Sequence, residues 1–193
     1  MGKQVRPQNR TKNLAPRAAA LLGKPLEFID EVHLRERQIC ALIDDIANGA
    51  IAEAESIATI LSFLSHELPL HLRDEEEDLF PLLQRRCEKE DEIEKVIEKL
   101  HSDHAHAGED TPIIVALLET LKAEMRAPDE REQDLLFAYA SHSRRHLILE
   151  NAIILPFARL RLTGKDLETL AKRMCQRRGL NNLRDQDDSD RST

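Results

Sequence analysis

One arrangement of histidine and glutamate occurs twice in the sequence, and both residue types are ligands for metal ions. Glu75 follows His71 by four residues, and Glu150 follows His146 by the same interval. Because residues four apart lie one above the other on a helix, each pair would present an imidazole and a carboxylate from one face. Neutral imidazole binds iron, zinc, manganese or copper. Glutamates from two helices can bridge two divalent ions.

These two pairs belong to an internal repeat. When His71 is aligned with His146, Pro81 falls on Pro156, so the proline stands at the same distance from the histidine in both halves. Each pair is also preceded by one more histidine in its own half, which gives the order His…HisxxxGlu…His…HisxxxGlu. We therefore expect two halves related by a pseudo-twofold axis. The residues predicted to bind metal are His33, His71, Glu75, His104, His146 and Glu150.

All six residues stand in apolar stripes that have the three- or four-residue spacing of a helix. The stripes run from Leu26 to Ile43, from Ile57 to Leu82, from Ile93 to Leu121 and from Leu136 to Ile153. An ionised glutamate that faces a helical core costs on the order of several kcal/mol unless it is paired or coordinated. Six ligands on four helices favour two metal ions, because a structural zinc site is closed by four ligands.

Turn residues separate the stripes. Asn48-Gly49 is predicted to end the first helix, and a turn at 126–130 to precede the fourth. We expect Pro69 to kink the second helix, and Gly108 and Pro112 to loosen the third without dividing it. Thr163-Gly164 breaks the chain again, and Asp166 is expected to cap a short helix that stops at Gly179.

The predicted fold class is all-α. We expect an antiparallel up-and-down four-helix bundle at 25–162 and an accessory C-terminal helix at 163–179. Residues 1–24 contain basic residues and no acidic ones, which indicates a flexible basic arm, and 180–193 is predicted to be a disordered tail.

Composition limits the classes of function. The net charge of −8 argues against binding to nucleic acid or to an anionic membrane, and no apolar run is long enough to span a bilayer. Three cysteines at scattered positions do not form a disulfide framework. We therefore expect a cytoplasmic protein, and the sequence leaves its oligomeric state open.

Other polar residues lie near the predicted ligands along the helices. His101 and His142 each stand one turn before a predicted ligand, and either could supply a fifth imidazole or lie partly in solvent. Tyr139 could aim its hydroxyl at the metals or be a core aromatic residue. Glu76 should face away from the core, although a supporting role beside the ligands is also open. Cys40 is expected to be buried packing.

Together these motifs resemble the bacterial hemerythrin-like proteins with the HHE cation-binding domain. The resemblance covers roughly residues 25 to 179. It rests on five segments: Phe28–His33, His71–Pro81, Asp103-His104, His146–Pro156 and Met174–Gly179. It implies an up-and-down helical bundle with a non-haem di-iron centre, in which two iron ions are bridged by carboxylates and by an oxo or hydroxo group. It also implies a small diatomic or peroxide ligand; zinc or manganese could occupy the site in vitro.

The spacing differs from that of the oxygen carriers in this superfamily, which use HisxxxHis in the third helix and HisxxxxAsp in the fourth. Here His101 and His104 are three apart, and the fourth helix has HisxxxGlu. This pattern is similar to the branch linked to peroxide handling, iron sensing and stress response. We therefore expect a protein that binds or senses O₂, NO, peroxide or iron. The alternatives are a di-iron enzyme with catalase-like or oxidase-like activity and a metal-free helical scaffold.

Overall fold

The computed structural model describes residues 21–49 and 51–180, which form helices joined by short turns and contain no β-strand. The eight α-helices in this part of the chain are α1 (Pro25–Ala47), α2 (Ala54–Ser62), α3 (Leu68–Asp74), α4 (Phe80–Arg86), α5 (Ile93–Glu124), α6 (Glu130–Leu149), α7 (Leu155–Arg161) and α8 (Gly164–Arg177). No helix in these ranges is both long and apolar enough to cross a membrane. The predicted basic arm lies outside the described residues up to position 20, and the predicted tail lies outside them from 181 onward.

Three π turns connect consecutive α-helices without a break in the helical backbone, and we call each such continuous helical stretch a rod. They are π1 (Phe63–Glu67) between α2 and α3, π2 (Glu75–Leu79) between α3 and α4, and π3 (Glu150–Ile154) between α6 and α7. A proline is the second residue of each α-helix that follows a π turn. Proline has no backbone N–H to donate to the preceding turn, which favours a local change in the hydrogen-bonding register. π2 and π3 begin at the same position of the internal repeat, so the repeat seen in the sequence is also present in the backbone.

Burial follows the predicted stripes along most of their length. The histidines and glutamates predicted to bind metal are all buried, as are most of the apolar residues that share their stripes. The last position of the fourth stripe is different: Ile154, rather than the predicted Ile153, is fully buried. The π turn that starts at Glu150 supplies the reason, because its wider turn moves the following residues relative to an α-helical pattern.

The third stripe forms one uninterrupted helix, α5, and Pro112 lies inside it. The sequence therefore correctly predicts one helix here rather than two. The first helix ends beside the predicted Asn48-Gly49 pair, and Gly49 has a φ of 90°, a left-handed conformation that glycine adopts without strain. The turn before α6 also lies within the predicted 126–130 segment, where Asp129 caps the helix.

Asp166 does not cap the last helix, contrary to the sequence prediction. Thr163 is the N-cap of α8, and its side chain accepts a hydrogen bond from the backbone N–H of Asp166. Asp166 is the third residue of the helix and completes a capping box, since its carboxylate accepts from the backbone N–H of Thr163. In a capping box the N-cap residue starts the helix, and here that residue is Thr163, where the apolar stripe of the preceding helix ends.

The helices bury a single apolar core. Within it α1 packs most extensively against α6, while α5 packs against α2, α4 and α6. The fully buried large side chains include Phe28, Phe63 and Phe80. The helix α8 lies against α1, α3 and π2.

A set of ion pairs, which we call the arginine clasp, ties α8 to π2. Asp74, just before π2, is fully buried and accepts two hydrogen bonds from Arg178, at 2.6 and 3.1 Å. Asp78, inside π2, accepts from Arg177 at 2.6 Å and from Arg173 at 2.5 Å. Two arginine-bound carboxylates thus lie close to Glu75 in the chain, one directly before π2 and one inside it.

The guanidinium of Arg178 also lies over an aromatic ring of α1. Its Cζ atom is 4.6 Å from the centroid of Phe28, so it is held between a carboxylate and an aromatic face. The corresponding positions around π3 are Leu149 and Ile153, which are apolar. The clasp therefore supports only one half of the repeat.

We predict that Arg178→Met destabilises the protein by about 3 kcal/mol, because it removes one partner of a buried ion pair. Chemical denaturation of the parent and the variant, both metal-free, measures the change in the free energy of unfolding. Arg177 also binds Asp74, so the variant leaves this buried carboxylate with one arginine instead of two. Adding Asp74→Leu to the same chain is expected to recover part of the loss, since Arg177 still has Asp78 as a partner.

Arg86→Met is the matched control for this prediction. Arg86 binds Asp166 at 2.9 Å from the other end of α8, but it is largely exposed. A much smaller loss of stability is expected, because solvent screens exposed ion pairs. Equal losses for Arg86→Met and Arg178→Met would contradict a specific role of the clasp.

Candidate metal centre

The structure brings all six predicted ligands together in the core. They form two overlapping clusters, and within each cluster one ligand atom per residue lies within 4.8 Å of all the others. The first cluster is His33, His71, Glu75 and Glu150; the second is Glu75, His104, His146 and Glu150. Both carboxylates therefore belong to both clusters, and each cluster has two imidazoles of its own.

In the first cluster the Nε2 atom of His33 faces both glutamates. It is 3.4 Å from Oε1 of Glu75 and 3.3 Å from Oε2 of Glu150. His71, one turn before Glu75 on the same rod, has its Nε2 atom 3.6 Å from Oε2 of that residue. Ligand atoms about 2.1 Å from a common ion lie roughly 3–4 Å apart, so these separations fit a shared cation.

The second cluster has the same character. Nε2 of His104 lies 3.6 Å from Oε2 of Glu75 and 3.7 Å from Oε1 of Glu150. Nε2 of His146 is 3.0 Å from Oε1 of Glu150 and 3.2 Å from Nε2 of His104. Glu150 thus directs one oxygen toward His33 and the other toward His104 and His146, which is the arrangement a bridging carboxylate needs.

Many polar atoms of the two clusters are buried without a hydrogen-bond partner among the described residues. They include Nε2 of His33, Nε2 of His71 and all four carboxylate oxygens of Glu75 and Glu150. Buried polar groups without partners are rare because each costs roughly 1–3 kcal/mol. A set of such atoms converging on one point fits cation ligation, since a cation satisfies all of their lone pairs together.

The electrostatics also suit cations. Burial, and then the neighbouring carboxylate of Glu150, raise the pKa of Glu75 well above its usual value. Burial raises the pKa of Glu150 as well, but His146 and His33 outweigh it and hold that pKa well below the usual range. Burial lowers the pKa of His71 and His33, so both imidazoles are neutral, the form that binds metal.

Glu76 supports the second cluster from behind. Its Oε1 atom is 2.5 Å from Nδ1 of His104, and its other oxygen accepts from Nδ1 of His101. The side chain of Glu76 is half-buried, so the prediction that it faces away from the core is only partly right. A carboxylate at Nδ1 leaves Nε2 of His104 as the atom that can bind metal. The ring of Phe80 stacks on His104 with 5.6 Å between centroids.

Neither alternative fifth imidazole belongs to the clusters. His101 is exposed and pairs with Glu76, while Nε2 of His142 lies 3.8 Å from Oδ1 of Asp103. Asp103 is buried, and its Oδ2 atom is 4.0 Å from Nδ1 of His146. A carboxylate therefore stands behind both imidazoles of the second cluster, Glu76 behind His104 and Asp103 behind His146.

Glu36 is a buried carboxyl group near the centre that the sequence analysis missed. Burial raises its pKa to about 7, and the charges of His146 and Glu150 also act on it. Ser143 on α6 is its hydrogen-bond partner. The available signal was its position three residues after His33, on the same helical face.

The remaining candidates have ordinary structural roles. The hydroxyl of Tyr139 pairs with Thr111 at 3.0 Å, and burial raises its pKa. Cys40 is buried in the core, as predicted, and its thiol is free. Two further histidines, His66 and His106, are exposed, and each hydrogen-bonds to the backbone carbonyl four residues before it.

A comparison with protein-family models matches residues 24–158 to the hemerythrin HHE cation-binding domain. The chain belongs to this family. An uncharacterized protein from Haemophilus influenzae is 26% identical over 171 residues, which is 86% of this chain and 96% of that protein. The family match confirms the resemblance drawn from the sequence, and the buried His/Glu clusters are compatible with a metal site of the hemerythrin type.

We predict that Glu36→Gln changes how the stability of the metal-free protein depends on pH. The folded chain holds the Glu36 proton up to about pH 7, whereas an ordinary glutamate titrates near 4.5. The folded state therefore binds more protons than the unfolded state between these values, and the parent loses stability as the pH rises through that window. At pH 8 the glutamine variant should be more stable than the parent by up to about 3 kcal/mol.

Denaturant unfolding at pH 5 and pH 8 measures this difference. The advantage of Glu36→Gln should shrink toward pH 5, because the parent carboxyl is then protonated in the folded state. Glu55→Gln, at an exposed position of α2, is the control and should show no such change. An advantage of equal size at both pH values would contradict the assignment to Glu36.

Proposed function

We propose that the protein is a non-haem di-iron protein of the hemerythrin type that binds or senses O₂, NO, peroxide or iron. One observation carries the proposal: Glu75 and Glu150 are common to two His/Glu clusters, so each carboxylate can contact two ions. His33 and His71 would hold one iron, and His104 and His146 the other.

The residues of the two clusters suit iron and leave room for a small ligand. Bound iron supplies redox chemistry and coordination positions that a small molecule can occupy. Imidazole and carboxylate ligands suit iron and manganese, and neither cluster contains a thiolate, the ligand that metals with a preference for sulfur require. Each cluster offers four ligand atoms, which leaves an iron that prefers six ligands open to a further molecule.

We also infer that the rods form the antiparallel up-and-down bundle predicted from the sequence. Short connections between successive rods support this topology, as does the packing of α5 against α2, α4 and α6. The three free cysteines agree with a reducing compartment, so we propose that the protein acts in the cytoplasm. The proposed partner is a small diatomic or peroxide molecule rather than a nucleic acid or a membrane.

A second candidate function is a peroxide-decomposing or oxidase-like enzyme. Glu36 favours it, because this buried carboxyl group interacts with two of the proposed ligands, His146 and Glu150, and a carboxyl group so placed can donate or accept a proton. Tyr139 suits this role less well, because its hydroxyl is already paired with Thr111 and burial raises its pKa. Of the two residues, Glu36 is therefore the better proposed proton donor.

We predict that protein purified from iron-replete cells contains about two irons per chain, and that His71→Gln or Glu150→Gln loses about one equivalent or more. The melting temperature should fall with the metal, because ligand binding to the folded state adds to its stability. Elemental analysis, an optical spectrum in air and thermal unfolding measure these quantities.

His66→Gln is the matched control, since it replaces an exposed histidine on the same rod. It should keep the parental iron content and melting temperature. Two tightly bound irons in His71→Gln and Glu150→Gln, or a single zinc per parental chain after reconstitution with iron, would overturn the di-iron proposal.

Hydrogen peroxide separates the two candidate functions. Sustained evolution of oxygen from the iron-loaded protein, slowed by Glu36→Gln at unchanged iron content, is expected of the enzyme. A single change in the optical spectrum without turnover is expected of a binding or sensing protein. An oxygen electrode and stopped-flow absorption distinguish the two outcomes.

A further inference from the structure

The proposed ligands are not equally far from solvent. His33, Glu75 and Glu150 have no exposed surface, and His71 is 1% exposed. His104 and His146 are 7% and 6% exposed. The His104/His146 side of the centre is therefore the side nearer to solvent.

A cavity of about 360 Å³ lies on that side of the molecule. It is lined by Lys99, Asp103, His142, Arg145, Ile148 and Leu149. Its residues come from α5 and α6, the two helices that carry His104 and His146. Such a volume holds a molecule of a few heavy atoms together with water.

Asp103 is the residue shared by the cavity and the metal centre. Its Oδ2 atom is 4.0 Å from Nδ1 of His146, while its Oδ1 atom binds Lys99 and lies 3.8 Å from Nε2 of His142. The side chain therefore forms a wall with a proposed ligand on one side and the cavity on the other. Asp103 thus links the lining of the cavity to the second cluster.

The lining selects by charge and polarity. Lys99 and Arg145 are cations, and the charge of Lys99 is offset by its pairing with Asp103, so Arg145 leaves the cavity with a positive potential. Nε2 of His142 is buried and has no hydrogen-bond partner among the described residues, so it can form a hydrogen bond with a polar molecule in the cavity. Ile148 and Leu149 add an apolar wall. This combination suits small neutral or singly negative molecules, whereas cations would be repelled.

We propose that this cavity is the entrance through which small neutral or anionic molecules reach the proposed iron held by His104 and His146. The inference rests on the proposed function, because an entrance of this kind requires a metal centre behind it. It adds a route, a charge preference and the identity of the iron that exogenous ligands meet first.

The test is to fill the entrance and follow azide binding to the iron-loaded protein by stopped-flow absorption. Ile148 is 63% exposed and lines the cavity, so Ile148→Trp adds a large apolar side chain at little cost to folding. A blocked entrance should slow azide association and dissociation together, by about tenfold, and leave the dissociation constant unchanged. Leu149→Phe is a second variant, at a half-buried position of the same wall.

Leu160→Trp is the matched control, because Leu160 is 70% exposed and does not line the cavity. The parent contains no tryptophan, so each variant has a single indole fluorophore. In the metal-free protein the indole at 148 should be shielded from acrylamide quenching, and the one at 160 should be freely quenched. This readout does not require iron.

Charge gives an independent test. Arg145→Gln should slow azide, an anion, at low ionic strength and leave the association rate of neutral nitric oxide with the reduced protein unchanged. Equal slowing of both molecules would contradict the charge preference.

If both Ile148→Trp and Leu149→Phe keep the parental iron content and the parental rates of azide binding, the proposal that the cavity is the entrance is wrong. A parent that binds no iron would overturn the proposed function instead. In that case a freely quenched indole at 148 would also contradict the cavity, and a shielded one would support it.

Discussion

Two glutamates buried side by side in an apolar core are the constraint on which this structure depends. Glu75 and Glu150 lie on different rods, yet their carboxylates face each other among four imidazoles, without hydrogen-bond partners in the described part of the chain. Burial and mutual repulsion oppose ionisation of Glu75, while His33 and His146 favour ionisation of Glu150. In the metal-free chain this polar group weakens the core. With cations bound, the same group would join four rods at one point.

The surroundings of the two clusters break the symmetry of the repeat. The Nδ1 atom of His104 has the carboxylate of Glu76 at 2.5 Å, and Asp103 lies 4.0 Å from Nδ1 of His146. The Nδ1 atoms of His33, His71 and His146 have no hydrogen-bond partner among the described residues. The arginine clasp, in contrast, acts on the turn that carries Glu75. One half of the repeat thus contributes an imidazole, His104, that an acid orients, and the other contributes a glutamate whose turn is fixed by α8.

Sequence patterns predicted the helical class, the rods and the six clustered residues, because helical periodicity and repeat spacing are local properties that a linear sequence retains. They did not predict Glu36, since a glutamate three residues after a histidine reads equally as a solvated residue until the packing of α1 against α6 buries it. The clasp was missed for a related reason: Asp74 and Arg178 are far apart in the chain, and a run of acids looks like an exposed face. The π turns are hidden as well, although the prolines after them mark where each one ends.

The π turns have a consequence for how this chain tolerates changes in length. A π turn contains one more residue than the α-helical turn it replaces, so deleting a single residue within π2 or π3 would restore α-helical geometry without breaking the rod. The segment after the deletion would keep its contacts, but the glutamate at the start of the turn would rotate relative to it. At these two points the protein should fold after a deletion and still lose the alignment of its carboxylates, whereas a deletion elsewhere in a rod would displace a whole apolar face from the core.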